Sequence, residues 1–536
     1  MNRALRLLPL VLLPALAAAG PSPAARRWWS HVEALASDAM EGRDTGSAGH
    51  ERAAAHVAAR FAALGVQPGG DAGFLQQVPL LSRRVVKERS RIALVRDGQE
   101  QPLRLDEDVI LGSRTGRSGH VDAGLVFVGY GLSIPEAGYD DLAGLDLQGK
   151  VLVVLNGGSP PGVPASLAAH ASAPAQRAEA LARAGAVGLV TVSHPRIVEL
   201  PWDRAVAGSA LPVMMLAEPA LQELADLSLV AQLRPERLDG LLAGTGHTFA
   251  SLLALADAGK PLPHFPLPVS VRADVVLETA RLSSPNVVGR VPGTDPTLAG
   301  ETVVVSAHLD HVGVGAPVQG DAIYNGAMDN ASGVAALLEV AWRLQDKKLR
   351  PRRTVLLVAF TAEEKGLLGS RWFVTHPPPG TGRMVADFTL DTFLPLIPLR
   401  RLVAQGLGES SLATPLRQSA SARGIEVLHD PQPERNLFVR GDQYSFIREG
   451  IPALAFKFGF LPGSKEERTL MAWYRTRYHA PSDDLSQPVD REAAARFLDV
   501  LVDLVVRVGN APERPQWNAD SFFRRFARPE PPAPAP

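Results

Sequence analysis

Imidazole and carboxylate side chains stand directly after apolar runs in the second half of the chain. Because ligand sites in open α/β sheets gather at the carboxyl ends of strands, we expect these side chains to meet at one sheet edge. Groups of these types can bind divalent metals or transfer protons. The residues are, in chain order, His308-Leu309-Asp310, Asp329 before a helical pattern, Glu363-Glu364 and Asp391.

Each of these groups has an ordinary structural explanation when it is taken alone. His308-Leu309-Asp310 can be a surface loop, and Asp329 can simply stand near the start of a helix. Glu363-Glu364 can be a solvated acidic pair at a helix start, where negative charge suits the helix dipole, and Asp391 can do the same after its strand. His479 can be a loop histidine. Their joint occurrence at strand ends favours a functional site.

As a set and in this order, the motifs resemble the co-catalytic zinc aminopeptidases, which share a fold with glutamate carboxypeptidase and glutaminyl cyclase. The resemblance covers the chain after its apolar start and before its Pro-rich tail. The motifs that carry it are Asp38-Ala39-Met40-Glu41-Gly42-Arg43, His308-Leu309-Asp310, Asn325 to Gly333, Ala359 to Ser370, Asp391, Gly441-Asp442-Gln443-Tyr444 ahead of Gly450-Ile451-Pro452-Ala453, and Tyr478-His479-Ala480-Pro481-Ser482-Asp483.

The resemblance implies two zinc ions held by five side chains. Asp329 would bridge both metals through its two carboxylate oxygens. Glu364 and His479 would complete one metal site, and His308 and Asp391 would complete the other. Each metal would then have one imidazole, one terminal carboxylate and the shared carboxylate, with a position left open for water or substrate.

The same resemblance assigns roles to two neighbouring carboxylates. Glu363 would be the general base that takes a proton from water and hands it to the leaving amine. Asp310 would hydrogen-bond the far ring nitrogen of His308 and so fix its tautomer. Met328 stands where many relatives have a second acidic residue, and we expect no ligand to be lost by this departure. His311 should line the site without binding metal.

The implied function is that of an exported aminopeptidase acting on peptides with a free amino terminus. A carboxypeptidase or dipeptidase is an alternative, since the same metal set serves it and the surrounding loops decide specificity. Glutaminyl cyclase is another alternative, which usually works with one zinc. A non-catalytic binding protein with this fold is a fourth possibility, against which the complete ligand set and Glu363 argue.

Other catalytic designs lack their residues in this sequence. The chain has no Cys, which excludes a cysteine nucleophile and disulfides, and it has no Gly-x-Ser-x-Gly elbow. His50-Glu51 lacks the second His of a His-Glu-x-x-His zinc helix. The formal net charge of -1 argues against nucleic acid as a partner. The sequence predicts no particular oligomeric state.

The elements that must position these residues read as an α/β fold. Continuous apolar runs at 302–306, 354–360 and 453–458 predict buried strands, and 332–344 predicts a helix. Strands of this kind alternating with helices imply a mixed sheet sandwiched by helices. A smaller, β-rich α+β domain is expected as an insertion. The pattern of apolar and polar residues changes before this segment, and the Pro-rich stretch at 261–268 predicts a linker at its end.

The expected domains follow from these elements. The insert is similar to the protease-associated domain found inside many relatives, through Val128-Gly129-Tyr130-Gly131 and Leu147-Gln148-Gly149-Lys150. The predicted units are a signal peptide at 1–19, a discontinuous zinc peptidase domain at 26–114 and 269–511, a protease-associated domain at 115–268, and a disordered Pro-rich tail at 512–536.

The start of the chain predicts export to the periplasm or the medium. Arg3 and Arg6 precede an apolar run from Leu7 to Leu16, and Ala17-Ala18-Ala19 offers a small-residue cleavage site. The apolar run is too short to span a bilayer, and no later run reaches that length, so no stable membrane anchor is expected.

Overall fold

The computed structural model describes residues 20–115, 118–158, 160–195, 201–432 and 435–528. The expected signal peptide at 1–19 and the last part of the expected tail lie outside these residues. Among the helices of the described residues, none is long and apolar enough to cross a membrane.

The α-helices flank two large sheets. In the described residues they are α1 (Pro23–Leu35), α2 (Ala48–Ala63), α3 (Ala165–Ser172), α4 (Pro174–Arg183), α5 (Trp202–Ser209), α6 (Leu238–Leu242), α7 (Phe249–Asp257), α8 (Ser332–Arg343), α9 (Leu368–Thr375), α10 (Ala413–Ser421), α11 (Gln443–Arg448), α12 (Lys465–Thr476) and α13 (Arg491–Asn510).

The strands form the two sheets and two small hairpins. They are β1 (Gln67–Pro68), β2 (Leu75–Val85), β3 (Arg91–Arg96), β4 (Gln99–Pro102), β5 (Val109–Leu111), β6 (Gly119–Val128), β7 (Ser133–Ile134), β8 (Tyr139–Asp140), β9 (Val151–Asn156), β10 (Gly188–Ser193), β11 (Val213–Leu216), β12 (Leu229–Leu233), β13 (His264–Val275), β14 (Leu277–Val291), β15 (Glu301–His308), β16 (Gly313–Val318), β17 (Asp321–Tyr324), β18 (Thr354–Phe360), β19 (Arg383–Thr389), β20 (Arg401–Gln405), β21 (Glu426–Leu428) and β22 (Ala453–Phe458).

The first sheet is mixed, and the predicted site residues follow the carboxyl ends of its central strands. Its order is β11-β2-β14-β18-β15-β19-β22-β20-β21, with β1 paired to β14. The central strands β18, β15, β19 and β22 are parallel, whereas β14 and β2 pair antiparallel beside them. Helices α1, α8 and α13 pack together over one face, and α9 and α11 pack over the other. The expected fold class, a mixed sheet between helices, is confirmed.

Burial on both faces explains why the central strands read as unbroken apolar runs. Every residue of β15 and of β18 is buried. A strand covered on both faces has no solvent side, so its sequence does not alternate. The parallel directions of these strands place their carboxyl ends at one edge of the sheet, which is where the predicted site residues follow.

The second sheet has wider limits than the expected insert. Its order is β4-β3-β13-β6-β9-β10-β12-β5, so it takes in residues from Arg91 to Val275 rather than 115 to 268. The Pro-rich stretch expected as a linker lies partly inside β13, with a register shift between Pro266 and Ser270. Proline cannot donate to a ladder, and the register shift accommodates it within a strand.

The inserted segment is joined to the first sheet at several points. Strand β11 lies between β10 and β12 in the chain but pairs antiparallel with β2 at the edge of the first sheet. Its Leu216 packs in an apolar cluster with Ala362 and Leu368, which adjoin the Glu363-Glu364 loop. Arg114 donates to the carbonyl oxygen of Lys365 at 3.2 Å. The insert therefore contacts the loop that carries the predicted base.

The segment at 512–528 is packed, although the sequence predicted a disordered tail from residue 512. Trp517 and Phe523 are buried, and a 3-10 helix spans Phe522–Phe526. The Trp517 indole donates to the carbonyl oxygen of Gly450. The aromatic side chains of this segment bury apolar area, which explains why it packs despite its proline content.

Candidate metal centre

His308 ends β15 and lies between two carboxylates. Its Nε2 is 3.2 Å from Oδ1 of Asp329 and 3.3 Å from Oδ1 of Asp391. Its Nδ1 is 3.0 Å from the backbone carbonyl oxygen of Asp310, which fixes the ring orientation. The side chains of His308 and Asp329 are almost fully buried, whereas 28% of the Asp391 side chain is exposed.

Asp329 lies in the turn Ala327–Ala331 immediately before α8, and its two oxygens face different partners. Oδ1 faces His308, and Oδ2 is 3.2 Å from Nε2 of His479. The buried carboxylate of Asp483 accepts hydrogen bonds from the backbone nitrogens of Met328 and Asp329, both at 3.0 Å. The turn is therefore held from behind while the Asp329 carboxylate projects between two imidazoles.

Glu364 and His479 form the second half of the cluster. Oε2 of Glu364 is 3.0 Å from Nε2 of His479, and Oε1 is 2.9 Å from Nδ1 of His311. Tyr478 stacks on the His479 ring, with the ring centroids 3.9 Å apart. The five side chains predicted as ligands are thus brought together, in two groups that share Asp329.

The donor geometry of these groups fits cations. Among the described residues, three groups could hold an ion, and each keeps its ligand atoms within 4.8 Å of one another. Two of them share Asp329: one is completed by His308 and Asp391, and the other by His311, Glu364 and His479. The third joins His308, Glu363 and Glu364. Nε2 of His479 has short distances to two oxygens but a hydrogen bond to neither. A ring nitrogen aimed between two carboxylates in this way suits an ion placed among them.

The charges around His479 indicate the same need for a cation. Burial lowers the pKa of His479, but the carboxylates of Glu364 and Asp329 outweigh burial and raise that pKa to about 11. Positive charge is therefore strongly favoured at this point, and a divalent ion coordinated by the neutral ring satisfies the same carboxylates.

Glu363 is buried beside the cluster and has the properties of a base. Burial raises its pKa well above the ordinary value; the positive charge of His308 opposes this, and the carboxylates of Glu364 and Asp442 add to it. Asp442 is itself buried, which raises its pKa to about 7. A carboxylate with a raised pKa accepts a proton more readily at neutral pH than an exposed one does.

Asp310 contacts different groups from those predicted. Its carboxylate is 4.0 Å from Nδ1 of His308, which is too far for a hydrogen bond, and its backbone carbonyl takes that place. The carboxylate instead accepts from the backbone nitrogens of Glu363 at 3.0 Å and Glu364 at 3.3 Å, and from the Thr45 hydroxyl at 3.0 Å. Asp310 therefore ties the end of β15 to the loop after β18.

Two site residues were not predicted to have the contacts they make. Nζ of Lys457 donates to the carbonyl oxygen of Asp391 at 2.6 Å and lies 3.7 Å from Oδ2 of the same residue. A lysine inside the apolar run 453–458 was the available signal. His311, expected only to line the site, contacts Glu364 directly, and its three-residue spacing from His308 was the signal there.

Comparison with known proteins finds a family model that matches the part of the chain carrying this cluster. Residues 286–505 match the model of the family described as Peptidase family M28. Over 97 residues, or 18% of the chain, the sequence is 37% identical to carboxypeptidase Q of Bos taurus, and this match spans 19% of that protein. The chain is 27% identical to a probable glutamate carboxypeptidase of Arabidopsis thaliana over 224 residues, which are 38% of this chain and 30% of that one.

A solved structure is similar over nearly the whole length. The aminopeptidase from Aneurinibacillus sp. strain AM-1 superposes with a TM-score of 0.52 and 19% sequence identity. The superposition covers 91% of this chain and 95% of that one. At this level of identity the similarity concerns the fold.

Proposed function

We propose that the chain is an exported aminopeptidase of peptidase family M28 that uses two zinc ions; its residues 286–505 match the model of that family. The expected family is thereby confirmed. The single observation that carries the proposal is the divided carboxylate of Asp329, with Oδ1 facing His308 and Oδ2 facing His479. One carboxylate serving two imidazole-containing groups is the arrangement a two-metal site requires.

In this proposal the five ligands form two sets, according to the distances between their nitrogen and oxygen atoms. His308 and Asp391 would hold one zinc, Glu364 and His479 would hold the other, and Asp329 would be shared. Zinc bound there would supply Lewis acidity to water and to the scissile carbonyl. His311 donates to Oε1 of Glu364 and so orients that ligand.

Glu363 performs the proton transfers. Its burial and its neighbouring carboxylates keep its proton affinity high, so it can take a proton from the attacking water. The same carboxyl group can then deliver that proton to the leaving amine. Hydrogen bonds from its backbone nitrogen and that of Glu364 to Asp310 fix the loop while the proton moves.

The preference for an amino terminus rests on the carboxylates of the cluster. The carboxylate of Asp391 is 28% exposed, and its charge acts on the buried Glu363. A free α-ammonium group would be attracted to these negative charges, whereas a blocked amine would lose that attraction.

A carboxypeptidase or dipeptidase is the second candidate, favoured by a cation beside the loop that carries Glu364. Arg114 of the inserted segment reaches the carbonyl oxygen of Lys365, next to Glu364, and Lys365 itself pairs with Asp44. Among the described residues, Arg114 has no carboxylate partner. Its guanidinium would suit a free carboxylate at the far end of a short peptide.

Export is proposed from the sequence of residues 1–19. The charged start, the short apolar run and the small residues that follow are typical of a cleaved signal peptide. Sequencing the amino terminus of protein recovered from the periplasm or the medium tests this; an intact Met1 in cytoplasmic protein would contradict it.

A matched substrate panel tests the proposed activity. Purified protein is assayed on aminoacyl peptides, on the same peptides with an acetylated amino group, and on amino-blocked dipeptides with a free carboxylate. We expect only the free-amine peptides to be cleaved, with loss on chelation and recovery on adding zinc. Cleavage of the blocked dipeptides would favour the carboxypeptidase. Cyclisation of amino-terminal Gln at one zinc per chain would favour a glutaminyl cyclase.

A further inference from the structure

Arg43 is fully buried beside the segments that carry His308 and Asp329. Its guanidinium makes four hydrogen bonds, and every acceptor is a backbone carbonyl oxygen. Nε donates to Leu309 at 2.8 Å, Nη1 to Leu35 at 2.6 Å and to Asn325 at 2.7 Å, and Nη2 to Gly326 at 3.0 Å. One side chain thus joins the end of α1, the residue after His308 and the turn that leads to Asp329.

The charge of Arg43 also acts on nearby carboxylates that its guanidinium does not contact. Burial lowers its pKa to about 10, while the carboxylates of Asp483, Asp329, Asp310 and Glu364 act in the opposite direction. Arg43 therefore stays positive at neutral pH. Within the described residues no carboxylate forms an ion pair with it, so its charge is shared among several acids around the site.

The backbone that delivers Arg43 adopts an unusual conformation. Glu41, Gly42 and Arg43 all have positive φ, at 48°, 62° and 54°. A Cβ on Gly42 would lie 2.4 Å from the carbonyl oxygen of Tyr324, so glycine is required there. Positive φ at the two other residues costs on the order of 1–3 kcal/mol each, and such conformations persist where the surroundings hold them.

The segment around Arg43 also bonds to the ligand loops through other groups. The carbonyl oxygen of Arg43 accepts from the backbone nitrogen of His311 at 3.2 Å. Thr45 donates to Asp310, and Asp44 pairs with Lys365 beside Glu364. The segment 43–45 therefore contacts the loops that carry His308, Asp329 and Glu364.

We propose that Arg43 is a positioning residue that fixes the ligand loops of the metal centre before metal binds. It joins the end of β15 to the segment that leads into the Asp329 turn through its bonds to Leu309, Asn325 and Gly326. Its charge offsets the repulsion among the carboxylates that must converge there. The inference rests on the proposed metal centre, but its test measures zinc binding and amide protection rather than peptidase activity.

The binding experiment compares Arg43→Met, Arg43→Lys and a matched control. Arg52 binds the same segment from outside, donating to the Ala39 carbonyl oxygen and to Glu41, and its side chain is 45% exposed. Competition with a chelator should show zinc affinity about 10–100-fold weaker for Arg43→Met. Arg43→Lys should recover part of that loss because it keeps the charge, and Arg52→Met should match the wild type.

Three results decide between the inference and its alternatives. Wild-type protein that binds no zinc would contradict the proposed function itself. Wild-type protein that binds two zinc ions, with Arg43→Met binding them equally tightly, would overturn the inference alone. A drop in affinity that Arg43→Lys does not relieve at all would also overturn it, because the charge would then contribute nothing.

Hydrogen exchange on the metal-free wild type keeps the test decisive if both Arg43 variants fail to fold. The amides of His311 and Asp329 should be protected without metal nearly as well as with it, since the guanidinium of Arg43 orders the segments on both sides of them. These amides donate to the backbone carbonyl of Arg43 and to the carboxylate of Asp483. Fast exchange of both amides in the metal-free protein, followed by protection on zinc binding, would show that metal rather than Arg43 orders the loops and would refute the inference.

Discussion

The carboxylate of Asp310 accepts a hydrogen bond from the backbone nitrogen of Glu363, at 3.0 Å, and a second from that of Glu364, at 3.3 Å. Asp310, two residues after the end of β15, therefore holds the loop after β18 that carries the proposed base and a proposed ligand. Since β15 and β18 are parallel and in register from Thr302 with Thr354 to His308 with Phe360, their ends stay level and this bridge can form.

Replacing Asp310 by Asn should slow catalysis more than it weakens substrate binding. The amide keeps one acceptor oxygen but presents an N–H group to a backbone N–H, which pushes the Glu363 loop away. We expect kcat to fall about 10–100-fold with a small change in KM, because misplacement of about 1 Å in a catalytic group has costs of this size. Thr45→Val removes one hydrogen bond to the same carboxylate but leaves its two bonds to the Glu363 loop, so its effect should be clearly smaller. Equal effects would refute this reading.

Glu363→Gln should abolish most turnover while both metals stay bound. Gln keeps the size of the side chain but cannot accept a proton, and general-base contributions are typically about 10²–10⁴-fold. Glu364→Gln, one residue later, should lower zinc content first, because a charged ligand is lost. Metal analysis and peptide hydrolysis on both variants separate the roles. Wild-type activity of Glu363→Gln would mean that another carboxylate is the base.

The sequence was most informative where burial is uniform. The strands expected at 302–306 and 354–360 are found at Glu301–His308 and Thr354–Phe360, and the helix expected at 332–344 at Ser332–Arg343. Apolar runs covered on both faces leave a strong signal, and the ends of such strands fix where polar residues converge. The convergence of the five predicted ligands could therefore be anticipated from strand ends and motif order.

The sequence was least informative where tertiary pairing decides the structure. Strand β4 (Gln99–Pro102) is exposed along its length, so no apolar pattern separates it from a loop. Strand β11 lies in the insert but pairs with β2 in the other sheet, a choice made by contacts distant in sequence. The roles of Asp310 and Lys457 depend on backbone groups of neighbouring strands, which residue types alone do not reveal.

Leu216→Ala should destabilise the protein and disturb the active-site loop. Leu216 is 0% exposed and packs with Ala362 and Leu368, which flank the Glu363-Glu364 loop. Truncating a buried leucine costs about 2–5 kcal/mol through lost burial and a cavity. Leu211, which is 66% exposed in the same segment, is the control, and its change to Ala should cost less than about 0.5 kcal/mol. Urea denaturation measures both, and similar midpoints would contradict the packing of β11.

The contact between His170 and Tyr444 should make stability depend on pH below neutrality. His170 lies on α3 of the insert, and its Nδ1 is hydrogen-bonded to the Tyr444 hydroxyl on α11 of the peptidase domain. Burial, helped by the charge of Arg448, lowers the pKa of His170 to about 4. In the unfolded chain this pKa is about 6.5.

Between these two values the unfolded chain binds a proton that the folded protein does not. The contribution of His170 to stability is therefore complete above pH 6.5 and is lost as the pH falls from 6.5 towards 4. The loss should reach about 1–2 kcal/mol at pH 4.5, after allowance for solvent screening of a partly solvated ring. Unfolding curves of wild type and His170→Gln between pH 4.5 and 7.5 measure it. The variant should lose less stability on acidification than the wild type does. Parallel profiles for wild type and His170→Gln would show that this ring titrates alike in both states, and the buried contact between the insert and the peptidase domain would have to be abandoned.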